Sequence, residues 1–170
     1  MTTIQEYLSD RDTATVHNRF TLSEMKYENG AVIYNDQKYL LSENSSEQLC
    51  DLLGVPKAYA DRCPEELKST TLNYWLKLRG EMMWAGLFEG DTLRSLMSPS
   101  YSYVPSLSIF DAVQECLPEE MEIANWNIRG DILEYVGFSP QYDTHIVDSP
   151  VRAGLRILYS DAWSVFPRFD

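Results

Sequence analysis

Apolar residues along this chain recur with two different periods, one typical of strands and one typical of helices. Residues 20–41 follow the short period, and Asn29-Gly30 and Asn35-Asp36 interrupt them with dipeptides that favour tight turns. This stretch predicts short strands joined by hairpin turns. Ahead of it, the pattern predicts only a short helix at residues 4–8.

The helical period dominates the middle of the chain and returns after it. Ser45, with Gln48 three residues later, has the pattern of a capping box, and Gly54 is a typical helix end. The clearest helix begins at Pro64 and ends at Gly80. Its predicted apolar face consists of Leu67, Thr71, Tyr74, Trp75 and Leu78. These signals predict helices over residues 45–54, 56–60, 64–80 and 106–117.

Apolar runs on either side of short turns predict further strand pairs. They are 82–88 with 92–97, 121–128 with 132–138, and 154–159 with 163–166. The pattern therefore predicts an α+β fold, a largely antiparallel sheet built of hairpins with three to four helices packed on it. The length of 170 residues suits one domain. We predict a single domain over 1–170, in which 1–18 is a loosely packed N-terminal segment.

Two of the predicted hairpins share a short pattern: Trp, then Gly-Asp-x-Leu, then Ser-Pro-x-Tyr. The first copy comprises Trp84, 90–93 and 98–101, and the second comprises Trp126, 130–133 and 139–142. The second copy has one more residue before Ser-Pro, and Gly137 is a suitable place for a β-bulge that absorbs it. Either the chain repeats a hairpin unit, or two unrelated hairpins use the same turn residues.

Charge adds a preference for one kind of partner. The chain holds 26 acidic and 14 basic residues, which give a net charge of −12. Residues 1–85 hold 13 acidic and 9 basic residues, whereas residues 86–170 hold 13 and 5. Such a protein repels phosphate backbones unless its cations are closely grouped, so a basic protein surface is the expected partner.

The N-terminal residues lack the basic start and apolar run of a secretory signal, and no apolar stretch has the length of a membrane span. The three cysteines are odd in number and widely spaced, which predicts reduced thiols. We therefore expect a location in the cytoplasm and no membrane partner.

The residues that usually carry catalysis or bind metals are scarce. The two histidines are His17 and His145, and Asp143 and Asp148 flank the second one. A loop histidine between two aspartates is more often solvated than a ligand, because a metal site needs at least a third ligand in space. No nucleophile elbow, phosphate-binding loop or paired Cys-x-x-Cys motif occurs. We predict no catalytic residues, no metal ligands and no cofactor.

An acidic stretch follows the middle of the chain and contains no cation. Its carboxylates are Asp111, Glu115, Glu119, Glu120 and Glu122. Carboxylates repeated at short intervals on a rigid body can imitate the charge row of a nucleic-acid backbone, and they would compete for a basic groove. The alternative is a solvated helix face, which is the usual role of an isolated acidic run.

Arginines and aromatic residues near the C-terminus support a different hypothesis. Arg152 and Arg156 face the same side if they lie in a strand, and Tyr159 and Trp163 follow them. Such a strip could contact phosphates and stack on the bases of a single strand. The alternative is two ordinary strands with core aromatic residues, because single-strand grooves normally carry more cations.

Four stretches of the chain resemble the motifs of a known family. They are 52–59 with Leu-Gly-Val-Pro, 72–76, 93–101 with Arg-Ser-Leu-Met-Ser-Pro-Ser-Tyr, and 154–161. In this order they resemble a phage- and plasmid-borne family of unknown function, domain-of-unknown-function family 932. Tyr159-Ser160-Asp161 stands where that family has Asn-Ser-Glu. Family members usually continue past this strand, so we expect a shortened relative.

The resemblance implies a mobile-element origin and work near DNA, but it supplies no catalytic residues. Together with the charge it predicts an acidic phage protein that inhibits a nucleic-acid-processing protein, such as a CRISPR effector or another defence nuclease. The inhibitor would occupy a basic surface of that protein. A single-stranded nucleic-acid-handling domain and an assembly subunit are the alternatives, and the oligomeric state stays open.

Overall fold

The chain folds as an α+β protein, as its pattern predicts. The structure is a computed structural model that describes residues 3–117, 122–129, 131–146, 149–162 and 168–169. The helices are α1 Ile4–Ala14, α2 Glu43–Leu53, α3 Lys57–Ala60, α4 Glu65–Leu78 and α5 Ser106–Cys116. The strands are β1 Thr15–Thr21, β2 Met25–Glu28, β3 Ala31–Tyr34, β4 Gln37–Leu41, β5 Met83–Glu89, β6 Thr92–Met97, β7 Glu122–Arg129, β8 Ile132–Ile146, β9 Ser149–Ser160 and β10 Arg168–Phe169.

Contacts within the chain divide it into two compact units. The central unit comprises residues 13–103, and the terminal unit combines residues 1–12 with residues 104–170. A compact unit is not by itself a separately folding domain, so the single domain over 1–170 stays a prediction. No helix within the described residues is long and apolar enough to cross a membrane.

The central unit contains a six-stranded sheet with the order β1-β5-β6-β4-β3-β2. Its neighbours are antiparallel except for β4 and β6, which run parallel. Asn29 and Gly30 adopt φ values of 49° and 76° between β2 and β3, and Asn35 and Asp36 adopt 50° and 59° between β3 and β4. These left-handed conformations are those that tight hairpin turns require, which confirms both predicted turns.

Helix α2 packs on this sheet, but it begins earlier than predicted. Ser42 is the N-cap residue, and its side chain accepts a hydrogen bond from the Ser45 amide at 3.1 Å. Ser45 is fully buried instead of capping, and its hydroxyl donates to the Leu93 carbonyl at 2.6 Å. Gln48 is not a capping-box partner either, because its side-chain oxygen accepts from the Leu96 amide at 2.7 Å. Both polar side chains tie α2 to β6.

Helix α4 turns a different face to the core than its apolar pattern predicts. Leu72 and Leu76 are buried, and the Asn73 side chain exchanges two hydrogen bonds of 2.8 Å with the backbone of Tyr27 on the edge strand β2. Three members of the predicted core face are exposed instead: Leu67, Tyr74 and Leu78. The prediction was wrong because both sides of α4 carry apolar residues, and periodicity alone does not identify the side that the sheet covers.

The terminal unit contains an antiparallel four-stranded sheet with the order β10-β9-β8-β7. The register of β7 against β8 shifts between Ile123 and Asn125. The extra residue of this bulge therefore lies in β7, and not at Gly137 as predicted. Gly137 has another role, because a Cβ atom there would lie 2.1 Å from the hydroxyl of Tyr135. Glycine lets the buried Tyr135 ring lie flat on its own strand.

Helix α1 occupies most of the N-terminal segment that was expected to pack loosely. Leu8 is fully buried and contacts a cluster that contains Phe110, Leu133 and Tyr159. Thr3 and Glu6 form a capping box, in which each backbone amide donates to the other residue's side chain at 2.8 and 3.1 Å. The apolar pattern of α1 is weak because much of its buried face is the charged side chain of Arg11.

Candidate functional site

Helix α5 exposes the first two carboxylates of the predicted acidic surface. Asp111 and Glu115 lie one turn apart and are both exposed. Phe110, on the opposite side of the helix, is buried, and its ring lies 4.7 Å from that of Trp126 on β7. The packing of this apolar side fixes the direction in which the two carboxylates point. Within the described residues, no ion pair involves either carboxylate.

The start of α5 is held by a distant residue. Pro105 stands at the N-cap position and has no side-chain hydrogen bond there. The Asp12 carboxylate replaces it, since it accepts hydrogen bonds from the amides of Ser106 and Leu107 at 3.2 and 2.8 Å. Ser106 is thus the first residue of the helix and not its cap, and its hydroxyl donates to Asp161 at 3.3 Å. A carboxylate at this position also interacts favourably with the helix dipole.

Helix α1 adds two carboxylates that the sequence reasoning missed. Glu6 and Asp10 are exposed, and together with Leu107 of α5 they line a shallow groove. Asp111 lies one turn beyond Leu107 on the same side of α5. The acidic face, as we call it, therefore comprises Glu6, Asp10, Asp111 and Glu115 of the terminal unit. The four-residue spacing of Glu6 and Asp10 was the signal that could have identified them.

The cation of α1 points inward and does not neutralise this face. The Arg11 side chain is 5% exposed, and its guanidinium lies 3.1 Å from a carboxylate oxygen of Asp131 and 3.3 Å from one of Asp161. Burial raises the pKa of Asp161 to about 6, although Arg11 acts in the opposite direction. Burial also raises the pKa of Asp131, again against Arg11. The buried ion cluster of Arg11, Asp131 and Asp161 thus leaves α1 with carboxylates on its outer side.

The remaining members of the predicted acidic surface are only partly placed. Glu119 and Glu120 lie outside the described residues. Glu122 is the first residue of β7, and only its backbone is described. The part of the predicted surface that the structure describes is therefore the pair on α5, to which α1 adds its own pair.

The alternative strip of arginines and aromatic residues receives less support. Arg156 is exposed on β9, but its guanidinium pairs with Glu134 at 2.7 and 2.8 Å. Tyr159 is buried, and its hydroxyl donates to the Val104 carbonyl. Arg152 is described in its backbone alone, and Trp163 lies outside the described residues. Tyr159 therefore occupies the position of a core residue, which leaves it no accessible ring face for a base.

The structure describes the side chain of one of the two histidines, His17. The His17 ring stacks on Tyr103 with a centroid distance of 6.3 Å, and burial together with Arg19 lowers its pKa. The side chain of His145 is not among those described. Among the described residues, no group of three or more His, Cys, Asp or Glu side chains could hold a metal ion.

Comparisons with known proteins do not extend this description. No family model matches the chain, and no curated protein or solved structure matches it. The resemblance to domain-of-unknown-function family 932 accordingly stays a prediction, and the functional argument rests on the acidic face.

Proposed function

We propose that this chain is a binding protein without catalytic activity that attaches to a basic surface of another protein through its acidic face. The observation that supports this proposal is the arrangement of α1 and α5. Both helices expose carboxylates one turn apart, while Arg11 is buried between two aspartates. The outer side of α1 and α5 is therefore negative, and its backbone is held by the core of the terminal unit.

Electrostatics explains why such a face would bind efficiently. A net charge of −12 attracts a cationic partner over about a Debye length, roughly 8–10 Å at physiological salt. Carboxylates fixed on helices lose less conformational entropy on binding than carboxylates in a loop. Attraction of this kind mainly raises the association rate, so binding should weaken as salt concentration rises.

A nucleic-acid-processing protein is the proposed partner, because its phosphate-binding groove offers the basic surface that the face requires. Occupying that groove would exclude the nucleic acid and inhibit the enzyme. This is the role of a phage or mobile-element protein directed against a CRISPR effector or another defence nuclease, acting in the cytoplasm of the bacterial host. The proposal includes no cofactor and no membrane partner.

The test measures displacement of labelled nucleic acid from purified basic nucleases, including RNA-guided nuclease complexes, by fluorescence anisotropy. The double variant Asp111→Lys with Glu115→Lys should raise the concentration needed for displacement at least about ten-fold. Glu47→Lys with Asp51→Lys is the matched control, because these exposed residues have the same spacing on α2 and the same change in net charge.

The control distinguishes a specific face from bulk charge. We expect the α2 variant to retain most of its activity in the displacement assay. Equal losses in both variants would show that net charge alone is responsible and would contradict the proposed face. A wild-type chain that displaces nucleic acid from none of these nucleases would contradict the inhibitor function itself.

A further inference from the structure

A row of apolar side chains on α4 points away from the core of the central unit. Leu67, Tyr74 and Leu78 are 47%, 62% and 62% exposed, and Thr71, between them, is half-buried. We call Leu67, Thr71, Tyr74 and Leu78 the α4 stripe. Three large apolar side chains along one exposed helix side form a patch of a size that is often functional on a monomer.

The spacing of the α4 stripe is that of a helix-pairing seam. Its members are separated by four, three and four residues, which is the alternation of apolar positions in a coiled coil. The core-facing residues Leu72 and Leu76 lie on the opposite side of the helix. Since α4 is anchored by that side, the stripe is a rigid surface that a second helix can cover.

The spacing of the α4 stripe is the same in both directions along the helix. When a second copy of α4 is laid antiparallel about a two-fold axis between residues 72 and 73, Leu67 faces Leu78 of the second copy. In the same register Thr71 faces Tyr74 of the second copy. Two-fold pairing requires a surface that is complementary to itself. The α4 stripe meets this requirement, because a leucine faces a leucine at each end and the small Thr71 faces the large Tyr74 at the centre.

Charges beside the stripe favour the same register. Glu66 and Lys77 are both exposed on one flank of α4, and within the described residues neither takes part in an ion pair. In the antiparallel register, Glu66 comes within about two residues, roughly 3 Å along the axis, of Lys77 of the second copy. The two-fold axis produces this attractive pair twice. A parallel pair would place this flank of the two copies on opposite sides of the seam, so it would lack the attractive pairs.

We propose that two copies of this chain associate through the α4 stripe, with their α4 helices antiparallel about a two-fold axis. The stripe contributes on the order of 300 Å² of apolar surface per copy. The pair therefore buries less than about 1,200 Å², which is the range of weak and transient interfaces. The expected dissociation constant is about 10–100 µM.

Sedimentation velocity over a concentration series tests the association. The wild-type chain should change from monomer to dimer between about 5 µM and 500 µM. Tyr74→Glu and Leu78→Glu should each keep it monomeric throughout, because a buried unpaired carboxylate is unfavourable in the seam. A wild-type chain that remains monomeric overturns the proposal. This holds even if the α4 stripe proves to bind another protein. Undiminished dimerisation of both variants overturns it as well.

A charge exchange tests the register without removing apolar contacts. Glu66→Lys and Lys77→Glu should each weaken dimerisation roughly ten-fold, because each replaces two attractive pairs by two repulsive ones. Combining the two substitutions restores attraction and should restore the dissociation constant. Glu65→Lys is the control, since it changes the same charge in the same helical turn but lies away from the stripe. Failure of the double variant to recover overturns the antiparallel register.

Cross-linking provides a second measurement of the register. In a chain with Cys63→Ser and Cys116→Ser, Leu67→Cys and Leu78→Cys are prepared separately. An equal mixture of the two should form disulfide-linked dimers faster than either alone, because residue 67 meets residue 78 only when the helices are antiparallel. Faster linkage in either variant alone overturns this register. Circular dichroism of every variant verifies that the fold is retained.

Discussion

The hairpins β5–β6 and β7–β8 carry the same sequence pattern in two different units. In both, the tryptophan is partly buried, and the leucine after Gly-Asp belongs to the core: Trp84 with Leu93 in the central unit, and Trp126 with Leu133 in the terminal unit. Neither indole Nε1 finds a hydrogen-bond partner within the described residues. A shared local pattern thus produces the same hairpin and the same buried side chains.

The turn aspartates of these hairpins have different environments. Asp91 is exposed at the β5–β6 turn. Asp131, the corresponding residue, is 21% exposed and pairs with Arg11, which comes from α1. A turn pattern therefore determines the backbone at this position, whereas a helix more than a hundred residues earlier determines whether the carboxylate belongs to the surface or to an ion cluster.

The residue after the core leucine has opposite charge in the two hairpins. Arg94 lies 3.1 Å from Glu89 of the same hairpin, whereas Glu134 pairs with Arg156 of the neighbouring strand β9. The terminal hairpin thus relies on partners from outside it. The two hairpins also differ in length, because β6 ends at Met97, just before Ser-Pro, while β8 continues through Ser-Pro to Ile146.

The largest expected effect is a difference in the free energy of unfolding between alanine variants of the two buried arginines, Arg11 and Arg94. Arg11→Ala removes the cation between the fully buried Asp161 and the half-buried Asp131, so the free energy of unfolding should fall by about 3–5 kcal/mol. Arg94→Ala leaves Glu89, whose side chain is 36% exposed and can be hydrated, so its loss should be roughly 1–2 kcal/mol. Denaturation in urea measures both.

The loss caused by Arg11→Ala should also be smaller at pH 4 than at pH 7, because protonation removes the unpaired charges. Equal losses for the two arginine variants at pH 7 would contradict the view that the pairing of Arg11 with a fully buried carboxylate makes the larger difference to stability.

The second expected effect is a dependence of stability on pH. The pKa of Asp161 is raised to about 6 in the folded chain, so its contribution to stability is complete below about pH 4 and is lost as pH rises through 6. Between pH 4 and pH 7 the free energy of unfolding should fall by on the order of 2 kcal/mol through this group. Asp161→Asn should remove this component.

Surface repulsion in this acidic chain acts in the same direction, so the comparison needs a variant that changes net charge alone. Asp91→Asn, at the exposed turn, provides it. We expect its stability to depend on pH as the wild type does. If the free energy of unfolding of Asp161→Asn changed with pH in the same way as that of Asp91→Asn does, the buried carboxyl group would have no role in the pH dependence of stability.

The smallest expected effect compares the two turn aspartates directly. Asp131→Asn weakens the ion pair between this residue and Arg11 and should reduce the free energy of unfolding by about 1 kcal/mol. Asp91→Asn changes an exposed side chain and should stay within about 0.5 kcal/mol of the wild type. Thermal denaturation at pH 7 measures the difference, and a larger loss for Asp91→Asn would reverse the comparison.

Sequence reasoning identified the elements whose signals are local. Asn29-Gly30 predicted a hairpin turn, and Gly54, with a φ of 70°, ends α2 as predicted. It failed where the partner is distant in sequence. Ser106 has the residue type of a helix cap, but Asp12 takes that position because the terminal unit brings α1 to the start of α5.

The candidate site likewise combines features that local sequence signals predict with features that depend on distant residues. The four-residue spacing of Asp111 and Glu115 was sufficient to predict that they share one side of a helix. Glu6 and Asp10 could not be joined to them, because only packing brings Leu107 to the groove beside α1. The inward direction of Arg11 was likewise unpredictable, since two aspartates distant in sequence hold it.

Four properties follow from the amino-acid sequence alone: the α+β class, the hairpin turns at Asn29-Gly30 and Asn35-Asp36, the end of α2 at Gly54, and the strong negative charge. These properties depend on backbone preferences and residue counts, which act over a few positions or over the whole chain. Three others required the folded structure: which side of α4 is covered, where Arg11 points, and which carboxylates share a face. Those outcomes depend on burial and ion pairing between residues far apart in the chain, and such contacts form only when each unit folds.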